Sequence, residues 1–196
     1  MKNLLEKKST CIVLSTALVF SILFFACKKK NKDDEDEMED HVHKTAIATI
    51  SKTFNDTTVT GTATFTQMDA GDVTLTLDIT VPSRANKSVA VHLHEMNDCS
   101  NSGTAAMGHW NPTNSTHGQL GVTKAYHLGD IGNIQLDASG HAKTIITTNA
   151  WNINGSDATR NVVGRSIIVH SGVDDYVTQP SGNSGTRIGC GGILIQ

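Results

Sequence analysis

From residue 45 onward, hydrophobic and polar positions alternate with a period of two. Val59, Gly61, Ala63 and Phe65 interleave with Thr58, Thr60, Thr62, Thr64 and Thr66. Val73, Leu75, Leu77, Ile79 and Val81 interleave with Thr74, Thr76, Asp78 and Thr80. Successive side chains of a strand point to opposite faces, so each run predicts a strand with one apolar and one wet face. Threonine is a favoured occupant of the wet face. The same reasoning predicts strands at 46–50, 88–94, 131–136, 142–147, 166–170 and 190–195. Turn signals part them: Asp69-Ala70-Gly71, Pro82-Ser83 and Ala138-Ser139-Gly140. No window carries helical periodicity. Eight short strands of this kind predict an all-β domain, an eight-stranded Greek-key β-barrel or sandwich. Two long stretches, 95–129 and 171–189, fall outside the strands, and loops of that length in a compact domain usually carry function.

The first 44 residues follow other rules. Lys2, Lys7 and Lys8 precede an uncharged run over 9–27 with an apolar centre, and Ala26 stands before Cys27. A basic start, a short apolar stretch and a small residue before cysteine predict a lipoprotein-type signal peptide over 1–26, leaving Cys27 to carry the lipid. Phe24 and Phe25 depart from the leucine and small residue common ahead of such a cysteine. The alternative is an uncleaved anchor, since nineteen uncharged residues just reach across a bilayer. Either way the remainder lies outside the inner membrane, in the periplasm or on the outer cell surface. Residues 28–40 hold four lysines and then a run of Asp and Glu, with Met38 the one apolar side chain. Such a segment cannot bury a core, so 27–44 reads as a solvated tether to a domain at 45–196. An export tag to the outer surface is the other reading.

Composition narrows the function. Hydrophobic residues make up 38%, which excludes wholesale disorder. Lys+Arg 16 against Asp+Glu 19 leaves a formal net charge of −3, which argues against a general nucleic-acid partner. Of four cysteines, Cys11 and Cys27 belong to the signal, and Cys99 and Cys190 remain. In an exported domain these two are most simply one disulfide, with a pair of free buried thiols as the alternative.

Nine histidines are the unusual holding. His92 and His94 lie two apart on one strand and therefore share a face. His41 and His43 have the same spacing at the domain's start and read as an exposed segment. His109, His117, His127 and Asp130 supply three imidazoles and one carboxylate, a complete four-ligand set for a structural Zn²⁺. His170 ends the apolar strand at 166–170. Imidazole-rich, oxygen-poor coordination suits copper and zinc and disfavours Mg²⁺ or Ca²⁺.

Four blocks then carry a resemblance: His92-Leu93-His94-Glu95; Gly108-His109-Trp110-Asn111-Pro112; His127-Leu128-Gly129-Asp130-Ile131-Gly132-Asn133; and Gly164-Arg165-Ser166-Ile167-Ile168-Val169-His170 through Gly185-Thr186-Arg187-Ile188-Gly189-Cys190-Gly191. In this order the chain resembles the copper/zinc superoxide dismutases, in their exported bacterial branch, over roughly 46–196. The resemblance implies disproportionation of superoxide to O₂ and H₂O₂, with one copper and one zinc per subunit. His92, His94, His109 and His170 would hold copper. His109, His117, His127 and Asp130 would hold zinc, with His109 bridging the two. Asp174 would tie His92 to His117. Arg187 would sit beside the open copper face as the substrate's anion partner, and His109 would exchange its metal for a proton during turnover. Cys99 and Cys190 would be joined. Bacterial members differ in whether they pair, so a homodimer stays open.

The stretch 176–186 is a departure, because it holds no charge. Substrate steering would rest on Arg187, with Lys87 and Lys124 as the other cations. The rival readings are a copper carrier and a zinc-only domain on the same fold. Arg187 argues against the carrier, which has no need of an anion site.

Overall fold

The computed structural model describes residues 43–68 and 71–196. The expected signal, Cys27, His41 and all of the tether before His43 lie outside the described residues. Among the described residues nine strands follow in order: β1 (His43–Thr53), β2 (Asp56–Met68), β3 (Val73–Thr80), β4 (Ser88–His94), β5 (Gly132–Gln135), β6 (His141–Thr148), β7 (Ser166–His170), β8 (Arg187–Gly192) and β9 (Leu194–Ile195). Their order across the sheet is β5-β4-β7-β8-β1-β2-β3-β6, and β9 pairs with β1. The end strands β5 and β6 are consecutive in the chain and joined by a short turn. The sheet therefore curls into an eight-stranded, nearly closed antiparallel barrel. The links from β3 to β4 and from β6 to β7 cross the barrel ends, which is the predicted Greek-key arrangement.

The period-two pattern becomes burial. Along β3 buried and half-buried residues alternate without a break. Phe65, Leu75, Leu77 and Ile79 fill the core together with Val89, Val91, Leu93, Ile167 and Val169. Each such side chain contributes about 1.5–3 kcal/mol of hydrophobic stabilisation. β4 and β7 are buried on both faces. Their odd-numbered residues point into the barrel, so alternation turns His92, His94, Ser166, Ile168 and His170 to its outer side. Cross-strand pairing sets His92 opposite Ile168 and His94 opposite Ser166, which brings three histidines onto one outer patch. The long loops cover that patch.

Three features differ from the sequence expectation. The second long loop ends at Thr186, because Arg187–Gly192 is strand. The predicted strand at 190–195 breaks at Ile193, whose backbone N–H donates to Arg165 O at 2.9 Å while its carbonyl accepts from Gly164 at 3.1 Å. Past that break β9 pairs with β1 through Ile47 and Leu194. A third long irregular segment, 149–165, joins β6 to β7. It buries Trp151, Ile153 and Val162, and Trp151 meets the ring of Phe65 edge-on at 5.8 Å. Short 3₁₀ turns occur at Pro82–Arg84, Asn101–Ala106 and Ala158–Arg160.

Candidate metal centre

The outer patch of β4 and β7 is completed by the 95–131 loop. Leu93 donates its N–H to Gly129 O at 2.9 Å and accepts from Trp110 N–H at 2.9 Å, so two distant stretches of the loop are zipped onto the strand beside His92 and His94. A side chain at Gly129 would run into the Leu93 carbonyl, so the approach requires glycine. This seats His109 between the strand histidines and the rest of the loop.

Two clusters result. The ligand atoms of His92, His94, His109 and His170 lie within 4.8 Å of one another, and those of His109, His117, His127 and Asp130 do the same. Hydrogen bonds select which nitrogen of each imidazole is free. His92 Nε2 donates to Asp174 Oδ2 at 2.7 Å. His94 Nδ1 donates to Met107 O at 2.9 Å, and His170 Nδ1 to Gly185 O at 3.3 Å. Each acceptor offers only lone pairs, so the proton sits on the named nitrogen and the other keeps its lone pair. The freed atoms are His92 Nδ1, His94 Nε2 and His170 Nε2. With His109 Nε2 they form four buried nitrogens without a hydrogen-bond partner. Buried polar atoms are rarely orphaned, and four that face one point are a ligand set for a cation that accepts nitrogen donors.

The second cluster makes the same case differently. His117 Nε2 donates to Asp174 Oδ1 at 2.9 Å, and His127 Nε2 donates to Ser115 O at 3.1 Å. Their Nδ1 lone pairs are thereby turned on the Asp130 carboxylate, at 3.0 and 3.2 Å. Lone pair against lone pair is repulsive unless a cation lies between. His109 Nδ1 joins them at 2.8 Å from Asp130 Oδ1. Among the described residues His109 is thus the one imidazole with a nitrogen in each cluster. The donor set fits zinc: three nitrogens and one carboxylate oxygen.

Protonation follows the same division. Burial holds His94 and His170 well below the ordinary imidazole value, lowers His92, and pulls His109 to about 4. All four are neutral at physiological pH, as metal ligands must be. Burial also opposes charge on His117, but hydrogen bonds with Asp130 and Asp174 outweigh it and push this ring up to about 9. In the metal-free set a proton takes the cation's place there. Burial alone would raise Asp130 and Asp174; their hydrogen bonds with the surrounding histidines overcome it and hold both carboxylates well below the usual range.

Asp174 joins the clusters, accepting from His92 and His117 on its two oxygens. Gly182, at φ +66, packs against this junction, where a side chain would collide with Asp174 Oδ1 and His117 Nε2. Arg187, at the start of β8, lines a cleft of about 640 Å³ with His94, His109 and His170. Its guanidinium donates to Gly103 O and, at 2.6 Å, to Met107 O. The disulfide Cys99–Cys190, with 5.7 Å between Cα atoms, pins the loop that bears those carbonyls to β8. The free-thiol alternative is thereby overturned. Lys87 sits at the far end of β4 from His94, and neither it nor Lys124 lines the cleft.

The candidate ligands, Asp174, Arg187 and the disulfide of the domain converge here, whereas Lys87 and Lys124 lie away from the cleft and His43 is exposed on β1. Sequence reasoning did not find Gly182, Gln179 or the carbonyls of Met107, Ser115 and Gly185. The carbonyls leave no trace in residue identity.

The same conclusion comes from comparison. The family model described as copper/zinc superoxide dismutase (SODC) matches residues 59–193. The copper-zinc superoxide dismutase of Podospora anserina is 35% identical over 156 residues, which covers 76% of this chain and 98% of that one. The enzyme of Schizosaccharomyces pombe is 35% identical over 147 residues, covering 71% and 92%. A solved structure titled as the clock protein EA4 superposes with a TM-score of 0.66 at 30% identity, covering 78% of this chain and 94% of that one. The chain belongs to the copper/zinc superoxide dismutase family, oxidoreductases that bind both metals.

Proposed function

We propose that this chain is an exported superoxide dismutase of the bacterial type, anchored by lipid on Cys27, with copper held by His92, His94, His109 and His170 and zinc by His109, His117, His127 and Asp130. The convergence of four orphaned ring nitrogens, one of them on an imidazole shared with the second cluster, is the observation that carries the assignment. When bound there, copper would supply the one-electron couple needed to take an electron from one superoxide and return it to another. The net reaction turns two superoxide anions and two protons into O₂ and H₂O₂.

The protein's own part is binding and proton placement. Arg187 offers a guanidinium, fixed by two carbonyls, to a small anion entering the cleft. His109 Nε2 faces the copper set while Nδ1 faces Asp130, so this nitrogen can hold a proton beside incoming substrate without the ring leaving the zinc set. Asp174 fixes the orientation of one imidazole in each set. The anchor is supported by Lys2, Lys7 and Lys8, the uncharged run at 9–27 and the placement of Cys27. An oxidised Cys99–Cys190 pair suits the same compartment.

The test is metal content measured with activity. Purified protein loaded with both metals should hold one copper and one zinc and disproportionate superoxide; removing copper should abolish activity and leave zinc bound. Tight copper binding without turnover would favour the carrier. Incorporation of labelled fatty acid in the native host should vanish in Cys27→Ala; retention would place the anchor elsewhere.

A further inference from the structure

Gln179 stands in the uncharged stretch 176–186 of the loop between β7 and β8, yet its side chain reaches across to the zinc cluster. Its Oε1 accepts from His117 N–H at 2.7 Å, and its Nε2 donates to His117 O at 3.1 Å and to Val177 O at 3.1 Å. One carboxamide therefore satisfies both backbone groups of a buried histidine, as a neighbouring strand would. Neither group of His117 has a backbone partner among the described residues. Around it, 113–118 runs without regular structure, so no ladder positions the ring.

The same device recurs one step away. Asn133 Oδ1 accepts from Asp174 N–H at 2.7 Å and its Nδ2 donates to Asp174 O at 2.8 Å. Asn133 thus fixes Asp174 to β5, Asp174 fixes the His117 ring, and Gln179 fixes the His117 backbone. Gln179 itself is solvent-exposed. It can open without disturbing the core, whereas Asp174 is buried.

We infer that Gln179 is a positioning residue for the zinc site: a latch from the cleft loop onto His117 that controls how fast zinc leaves. The inference rests on the reading of His117 as a zinc ligand. Without the latch, His117 N–H and C=O lose their partners and must turn toward water, which drags the ring off the axis set by Asp130 and Asp174. Loss of outer partners of a metal ligand typically costs ~10–100-fold in affinity. Here the loss should appear in the off-rate, because all four ligand side chains are kept and only the hold on His117 is loosened.

The experiment uses the full chain, its zinc site filled with zinc or cobalt(II), in wild type, Gln179→Leu, Gln179→Glu and His117→Ala. Zinc release is timed with a chromogenic chelator, and the visible bands of cobalt(II) report the geometry of the site. Gln179→Leu, which removes both bonds, should speed zinc release ~10–100-fold and alter the cobalt bands. Gln179→Glu, which keeps the acceptor and loses the donor, should fall between it and wild type. The melting temperature of the metal-loaded protein should fall further than that of the metal-free protein, as a purely structural role would not allow. Release at the wild-type rate in both Gln179 variants overturns the inference, and so does equal destabilisation with and without metal. If His117→Ala keeps zinc as tightly as wild type, the ligand assignment itself fails and the latch falls with it.

Discussion

Asp174→Asn changes one atom and breaks the link between the two metals unevenly. Asp174 Oδ1 accepts from His117 Nε2 at 2.9 Å and from Tyr176 N–H at 2.7 Å, while Oδ2 accepts from His92 Nε2 alone at 2.7 Å. An asparagine has one oxygen. It belongs at the Oδ1 position, where two donors already point, and this leaves the NH₂ facing His92 Nε2. To accept that N–H, His92 must move its proton to Nδ1, the atom that faces the copper set. The substitution therefore strikes copper and spares zinc. Loss of such a partner weakens metal binding by ~10–100-fold, or about 1.4–2.8 kcal/mol. In the metal-free protein the loss is one hydrogen bond to a charged acceptor, about 2 kcal/mol. That amounts to about 4–8 °C in melting temperature for a domain of this size. Loaded protein should lose more, by the weakened binding. Competition titrations for each metal, with melts of metal-free and loaded protein, measure all of this. Zinc falling ahead of copper, or equal melting losses with and without metal, would refute the reasoning.

Other consequences are simpler to check. Replacing Cys99 and Cys190 by alanine opens a loop spanning 91 residues, and should cost up to ~4–5 kcal/mol by chain entropy, with activity falling further as Arg187 loses the fixed Gly103 and Met107 carbonyls; full activity at unchanged stability would contradict it. Arg187→Lys cannot make both carbonyl bonds and present a planar fork, so kcat/KM should fall about tenfold (~1.4 kcal/mol) at unchanged copper and zinc content; a loss of metal would mean the residue is structural. Raising ionic strength should slow the reaction only shallowly, because among the described residues Arg187 is the one Lys or Arg lining the cleft; a steep salt dependence that disappears in Lys87→Ala or Lys124→Ala would show steering from elsewhere.

The strands were legible because threonine and aliphatic residues alternate in β2 and β3, where one face is wet and the other dry. Burial on both faces of β4 and β7 was not legible, since the second face is covered by loops rather than by a second sheet. The expected strand at 190–195 starts three residues later than β8 does. The β8 run Arg187-Ile188-Gly189-Cys190-Gly191-Gly192 is rich in glycine and poor in β-branched residues, so its first half reads as loop. The segment 149–165 lacks alternation altogether and is held by side-chain-to-backbone bonds such as Asn152 to Asp157 O at 2.6 Å. Of the site, the histidines and Asp130 were visible as residue types at ligand spacing. The choice of ring nitrogen was not, because it is made by carbonyl groups that every residue possesses.

The central claim is that His109 lies between two different metals. Anomalous diffraction from crystals of the copper- and zinc-loaded protein, collected on both sides of each metal's absorption edge, addresses it directly. It should reveal a copper peak beside His109 Nε2 among His92, His94 and His170, and a zinc peak beside Nδ1 among His117, His127 and Asp130. A single peak, or two peaks that leave one nitrogen of His109 unengaged in the oxidised protein, would contradict the shared imidazole and the proton role built on it.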